Sequence, residues 1–221
     1  MIRSLLQEEI KLRRRGFKKI AGLDEVGCGP LAGPVVAAAA MIGPDFRWSK
    51  SHFGQMKDSK KLSPEKREVF YNILTTHPDV WWGIGKVSEK AIDRINIRKA
   101  VKLAMLKAVK DLSQKLSPFY CYRHKKEMVD FLILDGNFRI NSDIPQKSII
   151  KADEKVFSCM AASIIAKVTR DKIMERLHKK YPEYGFDRHK GYGTKAHMAM
   201  LKKYGPCRIH RKTFALLGDF C

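Results

Sequence analysis

Four carboxylates stand out by where they fall. Asp24 and Glu25 lie side by side in GLDEVGCGPLAGPV (22–35), among glycines and small apolar residues. Asp135 follows the hydrophobic run of VDFLILDGN (129–137), and Asp153 closes KSIIKAD (147–153). Each sits at or near the end of a predicted strand. Neighbouring strands run about 4.8 Å apart, so their ends can gather carboxylates around a two-metal site with ions roughly 3.5–4 Å apart. Left alone, the carboxylates would repel and one would take up a proton. Mg²⁺ between them matches the charge, because hard cations prefer oxygen ligands. Asp24 and Glu25 face opposite sides of their strand, so sharing one site requires an irregular strand end or the longer arm of Glu25. Taken singly, each aspartate is more simply a turn former or a helix cap.

The surrounding chain is built to attract anions. It has 44 Lys and Arg against 23 Asp and Glu in 221 residues, a formal net charge of +21. KLRRRGFKK (11–19) holds six of the cations, and the 31 residues from Arg188 to Gly218 hold eight without one acid. Glycines and aromatics are interleaved there, in HKGYGTKAHMAMLKKYG. Such clustering points to a polyanion, nucleic acid before membrane. An acidic metal site inside a basic surround has a natural substrate in a phosphodiester.

The apolar content of 44% and charged content of 30% fit a globular protein. No apolar run approaches the roughly 18–20 residues of a membrane span, and the N-terminus lacks a signal-peptide core. Glu8 and Glu9 argue against a transit peptide. Five cysteines (Cys28, Cys121, Cys159, Cys207, Cys221) without metal-site spacing suggest reduced thiols in a cytoplasmic protein.

The elements that must position the carboxylates can be read from hydrophobic pattern. Strands are expected over KKIAGLDEVG (18–27), VVAAAAMI (35–42), VWWGIGKVS (80–88), VDFLILDGN (129–137) and KSIIKAD (147–153). Helices are expected after Ser63-Pro64, over 91–115 with Val101, Ala104, Met105 and Ala108 on one face, over 156–180, and from Thr194 to Tyr204. A meander followed by alternating helix and strand predicts an α/β domain, a mixed sheet flanked by helices. The helical, basic C-terminal third lies beside it.

At DEVGCGPLAGPVVAAA the pattern becomes specific. It resembles the signature of bacterial type 2 ribonucleases H (ribonuclease HII), close to D-E-V-G-R-G-P-L-A-G-P-V. The likeness continues in order through KDSKKLSPEKRE (57–68), LILDGN (132–137), IIKADEK (149–155), MAASIIAKVTRDKIM (160–174), YPEYGFDRHKGYGTKAH (181–197) and YGPCRIHRKTF (204–214). The resemblance implies a ribonuclease H-like mixed sheet in a single catalytic domain over 1–221, with about 180–221 as a helical substrate-binding region. It implies Mg²⁺- or Mn²⁺-dependent cleavage of RNA in RNA–DNA hybrids, leaving 5′-phosphate and 3′-hydroxyl ends. It also implies nicking on the 5′ side of ribonucleotides embedded in duplex DNA.

Carried over by motif, Asp24, Glu25, Asp135 and Asp153 are the metal ligands. Asp171, one turn from Lys167 and from Glu175, is the rival for the fourth place and is read as structural. Tyr192, in KGYGT, matches the tyrosine that stacks on the sugar following the ribonucleotide. The family reads the 2′-hydroxyl with backbone groups of its G-R-G turn, here Gly27, Cys28 and Gly29. Cys28 departs from the family's arginine, which removes a cationic fork for phosphate; it is read as a small neutral residue. Lys151 is a candidate phosphate contact. Ser163, His189 and His210 are assigned packing or phosphate-contact roles. The apolar end TFALLGDFC (213–221) could make a weak sliding-clamp contact. A monomer is expected. A type 2 rather than a type 3 relative is expected, because the sequence reaches DEVG by residue 24, short of the extra N-terminal domain of the type 3 group.

Overall fold

The computed structural model describes residues 5–44, 46, 62–120 and 129–214, the side chains of 117–120 excepted. The KDSKK stretch (57–61), residues 215–221 of the proposed clamp contact, Cys121 and Cys221 lie outside the described residues.

Helix α1 (Gln7–Arg14) precedes strands β1 (Ile20–Val26) and β2 (Val35–Ile42). Helix α2 (Pro64–Thr76) starts as its sequence dictates, with Ser63 Oγ accepting from Lys66 N at 3.3 Å and proline in the first turn. Strand β3 (Val80–Val87) follows. The single helix expected over 91–115 is in fact two, α3 (Glu89–Ile95) and α4 (Ile97–Tyr120). Asn96 between them has φ 64°, which ends the first, and its Oδ1 accepts from Lys99 N at 3.0 Å, which caps the second.

Strands β4 (Phe131–Asp135) and β5 (Gln146–Ile149) lead to a one-turn helix α5 (Ala152–Lys155) and the long α6 (Phe157–Lys180). A 3₁₀ turn (Pro182–Tyr184), α7 (Phe186–His189) and α8 (Lys195–Tyr204) complete the order. No helix among the described residues is long and apolar enough to cross a membrane.

The sheet order is β3-β2-β1-β4-β5. β1, β2 and β3 form an antiparallel meander, while β4 and β5 run parallel to β1. The expected mixed sheet is therefore present. VVAAAAMI is buried at every position, because β2 is covered on both faces. Ala21, Leu23, Ala37 and Ala39 pack on α4 through Ala100, Ala104, Met105 and Ala108. Ala38, Ala40 and Ile42 face α6 and α2 through Met160, Ala161, Ile165, Phe70 and Leu74.

Side chains alternate along a strand, so Gly22 and Asp24 face α6 while Leu23 and Glu25 face the α4 side. A Cβ at Gly22 would overlap the backbone of Ser158 and Cys159. Glycine there lets the start of α6 lie directly on β1, two residues from Asp24. A third cluster joins Leu31 and Ala32 of the glycine turn to Met174, Tyr184, Phe186, Leu201 and Ile209. The C-terminal helices are thus packed against the turn beside the carboxylates.

Candidate active site

Parallel pairing places Leu23 opposite Leu134. The next residues, Asp24 and Asp135, therefore leave adjacent strands side by side. With Asp153 they offer one oxygen each, all within 4.8 Å of one another. Asp24 and Asp153 are almost wholly buried, at 6% and 1% exposure. Asp24 Oδ1 accepts from Glu25 N at 2.8 Å, and Ser163 also hydrogen-bonds to this carboxylate. Asp135 Oδ1 accepts from Ala152 N at 2.7 Å, which ties α5 to the end of β4.

The strand expected to end in Asp153 stops earlier. β5 closes at Ile149, Lys151 takes a left-handed φ of 58°, and Asp153 sits in the first turn of α5. The left-handed residue turns the chain back toward β4, so a helix rather than a strand delivers the third carboxylate. Lys151 itself is 64% exposed along its side chain, 3.8 Å from Glu154.

Like charges packed this closely disfavour ionisation. Burial first, then the charge of Glu25, pushes Asp24 well above the usual carboxylate range. Burial, then Asp135, pushes Glu25 up to about 7. Among the described residues Glu25 Oε2 is buried without a hydrogen-bond partner, and Oε1 lies 3.7 Å from the Cys28 thiol. These are oxygen-only donors in surplus negative charge, with no His or Cys among the three gathered aspartates. The set fits a hard divalent cation. Asp171 lies outside it, paired with Lys167 at 2.7 Å. Burial, then Glu25, pushes the Cys28 thiol up to about 12, so it stands as a neutral group.

Asp24, Glu25 and Asp135 open into a cleft of about 360 Å³, lined also by Arg67, Ser163, Lys167 and Tyr192. Glu25 borders a second cleft with Cys28, Arg98 and Lys102. Tyr192 is 43% exposed, and a Cβ on Gly29 would lie 3.8 Å from its ring. The structure thus brings Asp24, Glu25, Asp135 and Tyr192 to the clefts, keeps Asp153 buried beside Asp24 and Asp135, and sets Gly29 of the turn beside Tyr192, while Lys151 stays solvated on the turn into α5.

Two fully buried arginines hold the glycine turn. Arg211 donates to the carbonyls of Gly27 (2.6 Å), Cys28 (3.0 Å) and Gly33 (2.9 Å). Arg170 donates to Ala32 (3.2 Å), Pro34 (3.0 Å) and, in the tyrosine loop, Lys190 (3.0 Å). Gly27 has φ 93°, and a Cβ there would strike the Arg170 side chain. Burial pulls the Arg211 guanidinium down to about 10, yet all six bonds go to neutral carbonyls. Sequence reasoning missed Arg67, Lys167, Arg170 and Arg211. In a chain with 44 cations a single arginine gives no signal that it is buried.

A sheet in this order, with an acidic group at the ends of two parallel neighbours and a cation-walled cleft, defines a ribonuclease H-like, metal-dependent hydrolase. The sequence matches the ribonuclease HII family over residues 21–217. It is 48% identical over 213 residues to ribonuclease HII of Chlamydia caviae, covering 96% of this chain and 91% of the relative. The crystal structure of ribonuclease H2 from Pyrococcus horikoshii OT3 is similar at a TM-score of 0.64 and 28% identity, over 91% of this chain and 96% of that one. The Archaeoglobus fulgidus enzyme, solved as a PCNA:RNase HII complex, gives 0.62 and 26% over 91% of this chain and all of that one. The chain belongs to the ribonuclease HII family. Its activity is that family's: metal-dependent hydrolysis of RNA in RNA–DNA hybrids, including at embedded ribonucleotides.

Proposed function

We propose that Asp24, Glu25, Asp135 and Asp153 hold two Mg²⁺ or Mn²⁺ ions and that the chain nicks on the 5′ side of a ribonucleotide, leaving 5′-phosphate and 3′-hydroxyl ends. The observation that carries this reading is the convergence of three aspartate oxygens within 4.8 Å, with Glu25 at the rim. Bound there, the ions supply an activated water and positive charge for the phosphorane-like transition state and the leaving oxygen.

The chain's own groups set the geometry. Ser163 and the Glu25 amide orient Asp24, and the Ala152 amide orients Asp135. Arg67 and Lys167, on the wall of the same cleft, attract the scissile phosphate. Backbone groups of Gly27, Cys28 and Gly29 meet the ribose 2′-hydroxyl, in a turn whose Gly27 and Cys28 carbonyls are held by Arg211. Tyr192 stacks on the sugar that follows. Lys151 contacts a phosphate further along the strand.

The chain acts as one catalytic domain, with about 180–221 as its substrate-binding region, as a monomer in the cytoplasm. A weak clamp contact through TFALLGDFC belongs to the same reading, since the Archaeoglobus fulgidus relative is solved with PCNA. The test is cleavage of a labelled DNA duplex carrying one ribonucleotide, in Mg²⁺, Mn²⁺ or EDTA. A metal-dependent nick 5′ to the ribonucleotide is expected. Cutting of a continuous hybrid alone would show that the Cys28 turn has lost junction recognition.

A further inference from the structure

Three histidines lie clustered behind the tyrosine loop, and their hydrogen bonds fix every ring proton. His189 and His197 stack at 4.4 Å and 16°, with His210 5.2 Å from His197. His197 and His210 are buried, at 0% and 2% exposure, and Phe186 presents its ring to all three.

His197 Nδ1 lies 2.9 Å from the Tyr192 carbonyl, which can only accept, so Nδ1 carries the proton. His197 Nε2 is then bare and accepts from His210 Nε2 at 3.0 Å. His210 Nδ1 is bare in turn and accepts from Cys207 N at 2.9 Å. The Cys207 carbonyl is also 3.2 Å from that nitrogen, but the Cys207 amide can only donate, so Nδ1 stays bare and the His210 proton sits on Nε2. His189 donates from Nε2 to Tyr184 O at 2.7 Å and accepts from Gly191 N at Nδ1 at 3.2 Å. All three rings are neutral, in agreement with burial pulling His197 and His210 down to about 4.

The donors thus run one way, from Cys207 through His210 and His197 to the Tyr192 carbonyl, and such a chain polarises its members. The next residues are held as well. Tyr192 N donates to His189 O at 2.9 Å, and Gly191 O accepts from Leu31 N of the glycine turn at 2.8 Å.

We propose that His197, oriented by His210, is a positioning residue for Tyr192, fixing the half-exposed phenol over Gly29 and so setting how strongly the enzyme prefers a ribonucleotide followed by DNA over a continuous hybrid. This rests on the reading of Tyr192 as the group that stacks on the following sugar. His197 touches no substrate; it acts through the Tyr192 backbone.

The experiment measures the ratio of nicking at a single embedded ribonucleotide to cutting of a continuous hybrid. His197→Ala lowers that ratio on the order of tenfold, as small displacements of a positioning group do. His197→Asn restores most of it, because the Asn Nδ2 overlays the lost Nδ1 donor. Tyr192→Ala lowers the ratio similarly, and combining it with His197→Ala adds nothing. A folded His197→Ala with an unchanged ratio, or with both substrates slowed in parallel, overturns the proposal. If Tyr192→Ala also leaves the ratio unchanged, the reading of Tyr192 falls first. Where the alanine variant does not fold, ring-nitrogen NMR of the intact protein decides. His197 in the Nδ1–H form and His210 in the Nε2–H form are required, and any other assignment overturns it.

Discussion

Replacing Glu25 by glutamine should stabilise the metal-free protein, and the gain should depend on pH in a calculable way. Glu25 rises from an ordinary 4.5 to about 7 on folding. A carboxyl with a raised folded pKa binds its proton more tightly in the native state. Its contribution is therefore intact below pH 4.5 and is lost as pH climbs through 7. At about 1.4 kcal/mol per pH unit, the loss is about 3 kcal/mol by pH 8. Glutamine keeps the shape and removes the charge, which also relieves Asp24, whose own rise owes its second largest part to Glu25.

For a protein of this size, about 3 kcal/mol moves Tm by about 6–12 °C. The assay is thermal or urea unfolding of both proteins in EDTA between pH 4.5 and 8. His197 and His210, lowered to about 4, act in the opposite sense, losing stability as pH falls below 6.5. Both proteins share them, so the difference curve reports Glu25 together with the relief of Asp24. It should be near zero at pH 4.5 and grow to about 3 kcal/mol at pH 8. Millimolar Mg²⁺ should shrink it by stabilising the native enzyme more. Parallel curves in EDTA would refute the claim that Glu25 is buried among unneutralised carboxylates.

Three further outcomes follow from the same geometry. Asp24→Asn should abolish cleavage while hybrid binding, measured by anisotropy in EDTA, is largely retained; undiminished turnover would remove Asp24 from the site. Cys28→Arg should tighten hybrid binding and steepen its salt dependence by about one phosphate contact; an unchanged slope would place position 28 away from the backbone. Gly22→Ala should cost about 3 kcal/mol or more in urea unfolding, because its Cβ overlaps the backbone of Ser158 and Cys159; a near-neutral effect would mean α6 can lift from β1.

The parts of the site set by local pattern were legible in the sequence. The hydrophobic runs of β1 and β4 place Asp24 and Asp135 at strand ends, and parallel register then makes them neighbours. Asp153 was legible by motif but not by element, because its delivery depends on Lys151 adopting a left-handed φ that lysine does not favour. The break at Asn96 was hidden for a related reason: one residue's conformation ends a pattern that is otherwise continuously helical. The arginines were illegible because their acceptors come from the glycine turn and the tyrosine loop, up to 184 residues away in sequence. The histidine pair was equally hidden, since only the fold brings α8 and the 207–210 turn behind Tyr192.

The most direct test of the account compares Asp153→Asn with Asp171→Asn in single-turnover nicking of a duplex carrying one ribonucleotide, at saturating Mg²⁺. Asp153 belongs to the group of three converging aspartates, whereas Asp171 pairs with Lys167 outside it. Asp153→Asn should lose at least about a hundredfold, as for removal of a preorganised charge at the reacting phosphate, and Asp171→Asn should keep near-native rates. The reverse pattern would contradict this assignment, and would move the fourth carboxylate from α5 to α6.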